Sequence, residues 1–388
     1  MVQKDDYEGR EQAYVKHYVL KHYLEQLALK IGHFRPGTTL NYIDGFSGPW
    51  QHATEDLRDT SPHVALTQLL KAKDELANAN KELHVRGFFV ERDPEAFSRL
   101  QSLLSSFKTA TTEPYEGRFE DHLEEARRFA ERGPNAFAFI FIDPTGWTGY
   151  PLGQITPLLQ VKPCEVMINF MTKDIVRFVD DESSTARDSF IALFGDDTHR
   201  EEWRALTGDA REDKIVEAYC ARLGVAGGFN HVGATIVLHP QQDRTHYHLV
   251  YATRSLHGLI AFRDSERKAF GAQHEVRAGA RQRSRIDRNH QTELFTAPVM
   301  ETPYMDLLRE RYQSRARAAV EATLEEARGE VPFDDIIGVA LAFPLTSLSD
   351  LKSWLEDLKK QGRVTFVGQG AKERALKEGS KHRLSWRR

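Results

Sequence analysis

The segment Phe137–Ile142 (FAFIFI) constrains the fold of this chain more than any other feature, because it is apolar at every position. A strand with one face in water alternates apolar and polar residues, whereas a strand covered on both faces is apolar throughout. Strands of the second kind belong to parallel sheets that carry helices on both sides. The run therefore predicts a central strand of an α/β domain.

Other segments of strand and helix character alternate around this run. Pro36-Gly37 ends a predicted helix, Glu11–Ile31, and the last two predicted strands are separated by eight residues, which is hairpin spacing. A mostly parallel seven-stranded sheet that ends in an antiparallel hairpin is typical of the Rossmann-like methyltransferase fold. The predicted strands are Thr39–Ile43, Val85–Val90, Thr109–Tyr115, Ala136–Ile142, Glu165–Phe170, Ala234–Leu238 and Tyr247–Ala252, and the helices between them include Thr60–Ala72, Asp174–Phe194 and Asp213–Arg222.

The composition changes near residue 300, where a charged helix, Met305–Ala327, precedes a unit with few strands. Two shorter helices, Phe333–Leu341 and Ser347–Gln361, are followed by two strands, Arg363–Val367 and His382–Trp386. Helix, turn, helix and a two-stranded wing is the winged-helix pattern. We therefore predict two domains, a Rossmann-like domain over 1–300 and a small winged helix over 301–388.

Charge and cysteine content limit the partners and the compartment. The 53 Lys and Arg against 57 Asp and Glu create no field that would attract nucleic acid, so such a partner needs a local basic patch. Cys164 and Cys220 lack a partner motif, which fits a reducing compartment and excludes a disulfide framework and a cysteine-based zinc site. No run of 18 apolar residues and no apolar secretion signal occur, so we expect a cytoplasmic protein without membrane binding.

The first predicted strand ends in NYIDGFSGPW, with Asp44, Gly45, Phe46 and Gly48 at the turn. Open α/β sheets bind nucleotides at the carboxyl ends of their strands, where glycines let the backbone approach a ligand. The spacing is not that of the dinucleotide fingerprint. The turn predicts a ligand site, and glycines that only shape the turn are the alternative.

Two further strand ends carry acids. Glu91, followed by Arg92, ends the second strand, where a carboxylate can accept hydrogen bonds from both ribose hydroxyls. Asp143 leaves the central strand, and Trp147 after it offers a flat face for stacking on a planar group. The structural alternatives are a solvated Glu91 paired with Arg92 and an Asp143 that caps a helix.

The motifs YIDGFSGP, FFVERDP, FIFIDPTGW, EVMINFM and HYHLVYATRSLHGL together resemble the three-Cys-motif partner protein family of bacteria and archaea, over about residues 10–270. The resemblance implies a methyltransferase-like Rossmann domain with an S-adenosylmethionine pocket, and often a winged-helix tail. It implies that this pocket is lined by Asp44, Gly45, Gly48, Glu91 and Asp143. It also implies a partner protein with a three-cysteine motif.

Some candidate residues follow from position alone. Asn169, near the end of the fifth strand, is a candidate to orient a substrate nucleophile, and Arg118 follows the third strand near the cofactor. His246 and His248 share one face of a strand, but without a third ligand nearby we predict no metal site.

The segment Asp143-Pro144-Thr145-Gly146-Trp147 departs from the D/N-P-P-Y/F motif of methyltransferases that act on base amino groups. Trp50 stands where a further glycine would ease the approach to a methionine moiety.

Basic residues gather in Arg277–Arg288 and in the C-terminal 26 residues, Arg363–Arg388. A basic wing can grip phosphates, and a protein-binding module with a solvated wing is the alternative. The residues predicted to bind nucleic acid are Lys359, Lys360, Arg363, Lys372, Arg374, Lys377, Lys381 and Arg383.

Three hypotheses remain open from the sequence. The first is an S-adenosylmethionine-dependent methyltransferase to which the winged helix presents nucleic acid, with Asp143, Trp147 and Asn169 at the acceptor. The second is a non-catalytic nucleic-acid-binding or adaptor protein. The third is a nuclease with Mg²⁺ held by Asp44, Glu91 and Asp143, because carboxylates also bind hard cations.

Overall fold

A computed structural model describes residues 3–48, 57–289, 303–370, 373 and 375–387. Trp50 and two residues predicted to bind nucleic acid, Lys372 and Arg374, lie outside these ranges.

The main sheet has seven strands in the order β3-β2-β1-β4-β5-β7-β6. Strands β1 to β5 run parallel, and β7 pairs antiparallel with both β5 and β6. The prediction of a Rossmann-like methyltransferase sheet is therefore confirmed. The strands are β1 Thr38–Asp44, β2 Leu83–Glu91, β3 Thr111–Glu116, β4 Phe137–Ile142, β5 Cys164–Phe170, β6 His231–Leu238 and β7 Thr245–Thr253.

Every residue of β1 and β5, and all of β4 after Phe137, is buried, since helices cover both faces of this sheet. Helix α1 packs against α2 and α10 in one layer, and α5 packs against α4 and α9 in the other. These helices are α1 Glu11–Phe34, α2 Ser61–Asn78, α3 Pro94–Ser105, α4 Leu123–Ala130, α5 Leu152–Leu159, α6 Thr172–Phe178, α7 Ser184–Phe194, α8 Arg200–Arg204, α9 Gly208–Gly227 and α10 Leu256–Asn289.

One predicted helix, Asp174–Phe194, is two helices in the structure, so that prediction is wrong. Helix α6 ends at Phe178, and α7 begins after Ser183, whose side chain accepts a hydrogen bond from the Ala186 amide. An N-cap of this kind starts a new helix because it satisfies an amide that has no partner within the helix.

The C-terminal unit consists of α11 Tyr304–Glu326, β8 Val331–Pro332, α12 Phe333–Leu341, α13 Leu348–Lys360, β9 Val364–Val367 and β10 Arg383–Trp386. Its three strands form a separate antiparallel sheet in the order β8-β10-β9. The helices and strands follow one another in the predicted order, while the winged-helix classification and the division into two domains stay predictions.

The C-terminal unit packs on the hairpin end of the main sheet. Met305, Leu308 and Tyr312 of α11 form one apolar cluster with Ile236 and Leu238 of β6. Within the described ranges, no helix combines the length and apolar character that crossing a membrane requires.

Helix α13 begins with a capping box. The Ser347 hydroxyl accepts a hydrogen bond from the Asp350 amide at 3.3 Å, and the Asp350 carboxylate accepts one from the Ser347 amide at 2.8 Å. Replacing Ser347 by alanine is expected to lower the free energy of unfolding by about 1 kcal/mol, because an amide of the first turn loses its partner. Urea titration followed by circular dichroism measures the loss. The exposed Ser353 of the same helix is the control, and an equal loss in Ser353→Ala would contradict the role of the cap.

Candidate active site

An open cleft of about 360 Å³ lies at the carboxyl ends of β1, β4 and β5. The N-terminal part of α1, the first residue of α2 and the start of β7 also line it. Its walls are formed by Arg10, Gln12, Ala13, Lys16, His17, Phe46, Gly48, Asp59, Thr60, Ser61, Asp143, Pro144, Thr145, Asn169, Met171, Lys173, His246 and Tyr247.

The turn after β1 is held by Asp44, which is fully buried. Its carboxylate accepts hydrogen bonds from the Phe46 amide at 3.1 Å and from the Ser61 hydroxyl at 2.8 Å. At Gly45, a Cβ would lie 2.8 Å from the ring of Phe119, so only glycine fits without displacing that ring. Asp44 is therefore an anchor of the turn, and it lies beneath the wall of the cleft instead of in it.

Burial raises the pKa of Asp44 to about 6, although the hydrogen bonds from Ser61 and Phe46 oppose the shift. A carboxyl whose pKa is higher in the folded state than in the unfolded chain binds its proton more tightly when folded. Its contribution to stability therefore rises as the pH falls through 6.

The free energy of unfolding of the native protein is thus expected to gain roughly 2 kcal/mol relative to Asp44→Asn between pH 7 and pH 4. Urea titrations of both proteins across this range measure the difference. A difference that stays constant with pH would contradict the raised pKa of Asp44.

Glu91 ends β2 and is buried beneath the turn after β1, with 2% of its surface exposed. Its Oε1 accepts a hydrogen bond from the Asp93 amide at 2.7 Å, whereas Oε2 has no hydrogen-bond partner within the described ranges. A Cβ on Gly48 would lie 1.9 Å from this Oε2, so only glycine can pack this closely over the carboxylate. Burial raises the pKa of Glu91.

Asp143 stands at the end of β4 and lines the cleft. Its Oδ1 accepts a hydrogen bond from the Asn169 side-chain amide at 2.8 Å, and its Oδ2 accepts one from the Lys16 ammonium at 2.5 Å. The structure thus brings together Asp143 and Asn169, as predicted from two strand ends. Lys16 was missed because it lies on α1, 127 residues from Asp143, and no local motif marks it.

Other predicted site residues lie away from the cleft walls. Trp147 packs in the hydrophobic core against Phe178, with ring centroids 5.6 Å apart, and against Phe190 at 4.9 Å, and its stacking on a substrate stays a prediction. Arg92 is exposed, and the Arg118 side chain, 67% exposed, pairs with Glu120. Phe46 and Gly48 do line the cleft.

The two histidines of β7 have different surroundings. His248 is buried, and its Nδ1 lies 2.7 Å from the Thr172 hydroxyl, while burial lowers its pKa to about 3. His246 lines the cleft. Among the described residues, no group of three His, Cys, Asp or Glu side chains is arranged to hold a metal ion, and Asp44, Glu91 and Asp143 form no such group.

The basic residues of the C-terminal unit are largely engaged within it. Arg363 pairs with Glu321 at 2.9 Å, and the Lys359 ammonium lies 4.2 Å from the centre of the Phe366 ring. Lys381 is exposed. The other described candidates also pair with acids, Lys360 with Asp357, Lys377 with Glu373 and Arg383 with Glu330.

Three arginines of the second basic run also pair with acids. Arg277 is buried on α10 and pairs with Asp243, as does Arg281, while Arg283 pairs with Glu11 of α1. These arginines hold α10 to the β6–β7 turn and to α1.

Neither a family model nor a curated protein matches this chain. Among solved structures, a Legionella pneumophila protein is similar at 11% identity and a TM-score of 0.35, covering 61% of this chain and 85% of its own. An O-methyltransferase family protein from Burkholderia thailandensis is similar at 15% identity and a TM-score of 0.27, covering 63% of this chain and 60% of its own. A loganic acid methyltransferase crystallised with SAH is similar at 12% identity and a TM-score of 0.29, covering 80% of this chain and 91% of its own.

Proposed function

We propose that this protein is an S-adenosylmethionine-dependent methyltransferase. The observation that carries the proposal is the unpartnered Oε2 of buried Glu91 beneath Gly48, next to a cleft that holds Asp143. A buried carboxylate oxygen without a hydrogen bond is costly by about 1–3 kcal/mol, so a ligand hydroxyl that reaches it binds favourably. The strand order supports the same reading, because open α/β sheets bind nucleosides at this edge.

The residues present fit this cofactor. Glu91 would accept hydrogen bonds from the ribose hydroxyls once Gly48 yields space, and the backbone of Gly45 to Gly48 would approach the methionine part. Asp44 would shape the loop that approaches the cofactor. When bound, S-adenosylmethionine supplies a methyl group activated by the adjacent sulfonium.

Asp143 is the acceptor-side group in this proposal. Asn169 and Lys16 hold its two oxygens in fixed directions, so the carboxylate keeps one orientation in the cleft. For an acceptor nitrogen or oxygen that carries a proton, Asp143 can accept that proton as the nucleophile attacks. Positioning of the acceptor against the methyl group and exclusion of water provide the rest of the rate enhancement, since the methyl group needs no further activation.

Calorimetric titration of the purified protein with S-adenosylmethionine, and separately with S-adenosylhomocysteine, tests this function. One molecule of each is expected to bind per chain. A folded protein that binds neither would overturn the proposal.

We also propose a partner protein and a nucleic-acid substrate. Membership of the three-Cys-motif partner family and a three-cysteine-motif partner rest on the motif resemblance, and co-purification of the two proteins expressed together would test the partner. Presentation of nucleic acid by the C-terminal unit depends on Lys381 and on basic residues that must leave their present ion pairs. Titration with an oligonucleotide at two salt concentrations would test it.

A further inference from the structure

The cleft carries an unbalanced positive charge on its acceptor side. Its ionised wall residues are three cations and two acids, of which Arg10 pairs with Asp59 and Lys16 pairs with Asp143. Lys173 is the remaining cation, and no ion pair joins it to an acid in the described part of the chain. The cleft therefore has a net charge of 3 − 2 = +1, and this charge belongs to Lys173.

The surroundings of Lys173 add to the positive potential. His246 lies in the same wall, and burial together with the nearby Lys173, His239 and Arg244 lowers its pKa to about 4. The ring is therefore neutral at pH 7. Lys173, Arg244 and Lys16 are charged groups that act on His246, and Asp143 in the same cleft is paired with Lys16, so a negative charge placed beside His246 is attracted.

Lys173 is far from the predicted ribose site. It is the second residue of α6, three positions after the end of β5, whereas Glu91 ends β2. Strands β1 and β4 lie between β2 and β5, so the two positions are separated by three strand spacings, about 14 Å across the sheet. Asp143 and Asn169, at the ends of β4 and β5, are its neighbours along the sheet edge.

We propose that the methyl acceptor carries an anionic group, a carboxylate or a phosphate, that binds Lys173 beside Asp143. This inference rests on the proposed function, because it assigns the substrate class of the same cleft. Lys16 neutralises Asp143, and this leaves the charge of Lys173 for the ligand. A cation that is partly shielded from water gains most from an anion that can accept its hydrogen bonds.

The test measures binding of simple anions to the full chain, with and without saturating S-adenosylhomocysteine. The probes are inorganic phosphate, benzoate and neutral benzamide, titrated by calorimetry. Lys173→Gln removes the charge, and Lys108→Gln is the matched control, since Lys108 is an exposed lysine in the loop before β3, at the opposite edge of the sheet. Phosphate or benzoate is expected to bind with cofactor present, about tenfold more weakly in Lys173→Gln and unchanged in Lys108→Gln.

The outcomes separate this inference from the proposed function. Preference for phosphate or for benzoate identifies which anionic group the acceptor carries. Equal binding of benzamide, unchanged affinity in Lys173→Gln, or displacement of the anion by S-adenosylhomocysteine would overturn the anionic acceptor, and the last result would assign Lys173 to the cofactor carboxylate. Failure of S-adenosylhomocysteine itself to bind would instead overturn the proposed function, and the titrations without it would still report on Lys173.

Discussion

Replacing Glu91 by alanine is expected to weaken the binding of S-adenosylhomocysteine about a hundredfold, because two charge-assisted hydrogen bonds to the ribose are lost. The fold should survive, since the change also removes a buried carboxylate oxygen that has no partner in the described ranges. Calorimetric titration measures the affinity, and circular dichroism verifies the fold.

Glu116 provides a matched control for this variant. It ends β3 directly opposite Glu91 in the strand register, and it is exposed. Glu116→Ala should leave the affinity unchanged. Equal affinities of the native protein and a folded Glu91→Ala variant would remove Glu91 from the cofactor site.

Replacing Arg263 by methionine is expected to lower the free energy of unfolding by about 3–5 kcal/mol, because it leaves buried acceptors without a donor. The Arg263 guanidinium is 1% exposed and donates to the carbonyl oxygens of Ala234 on β6 and Leu341 on α12, each at 2.8 Å. It also pairs with the buried Glu266 carboxylate at 2.8 Å. This one side chain therefore joins the main sheet to the C-terminal unit.

Unfolding by guanidinium chloride measures the loss of unfolding free energy in Arg263→Met. The control is Arg267→Met, one turn further along α10, where the side chain is exposed and the expected change is within about 0.5 kcal/mol. A loss below about 1 kcal/mol in Arg263→Met would contradict the role of this arginine in joining the main sheet to the C-terminal unit.

The sheet could be predicted because its signals are local. Complete apolarity of Phe137–Ile142 identified a central strand, and the eight residues between the last two strands identified a hairpin. The polar residues at the ends of β4 and β5 then placed Asp143 beside Asn169, because the carboxyl ends of parallel strands share one edge. Strand period and turn chemistry act over a few residues, so they can be read directly from the chain.

Contacts between distant segments could not be predicted in this way. Lys16 reaches Asp143 from a helix whose pattern shows only which face is buried. Trp147 follows a strand end, as a substrate-stacking residue would, yet Phe178 and Phe190 from α6 and α7 enclose it in the core. The basic run Arg277–Arg288 resembles an anion-binding patch until Asp243 and Glu11 are brought beside it by folding. Tertiary packing decides each of these cases, and periodicity carries no information about it.

A crystal structure of the protein with S-adenosylhomocysteine would show whether Glu91 binds the ribose of the cofactor. We expect the cofactor at the carboxyl edge of β1 and β2, with both ribose hydroxyls within hydrogen-bonding distance of the Glu91 carboxylate and the sulfur facing the part of the cleft that holds Asp143. A cofactor bound elsewhere, or a ribose that leaves Glu91 without a contact, would contradict it.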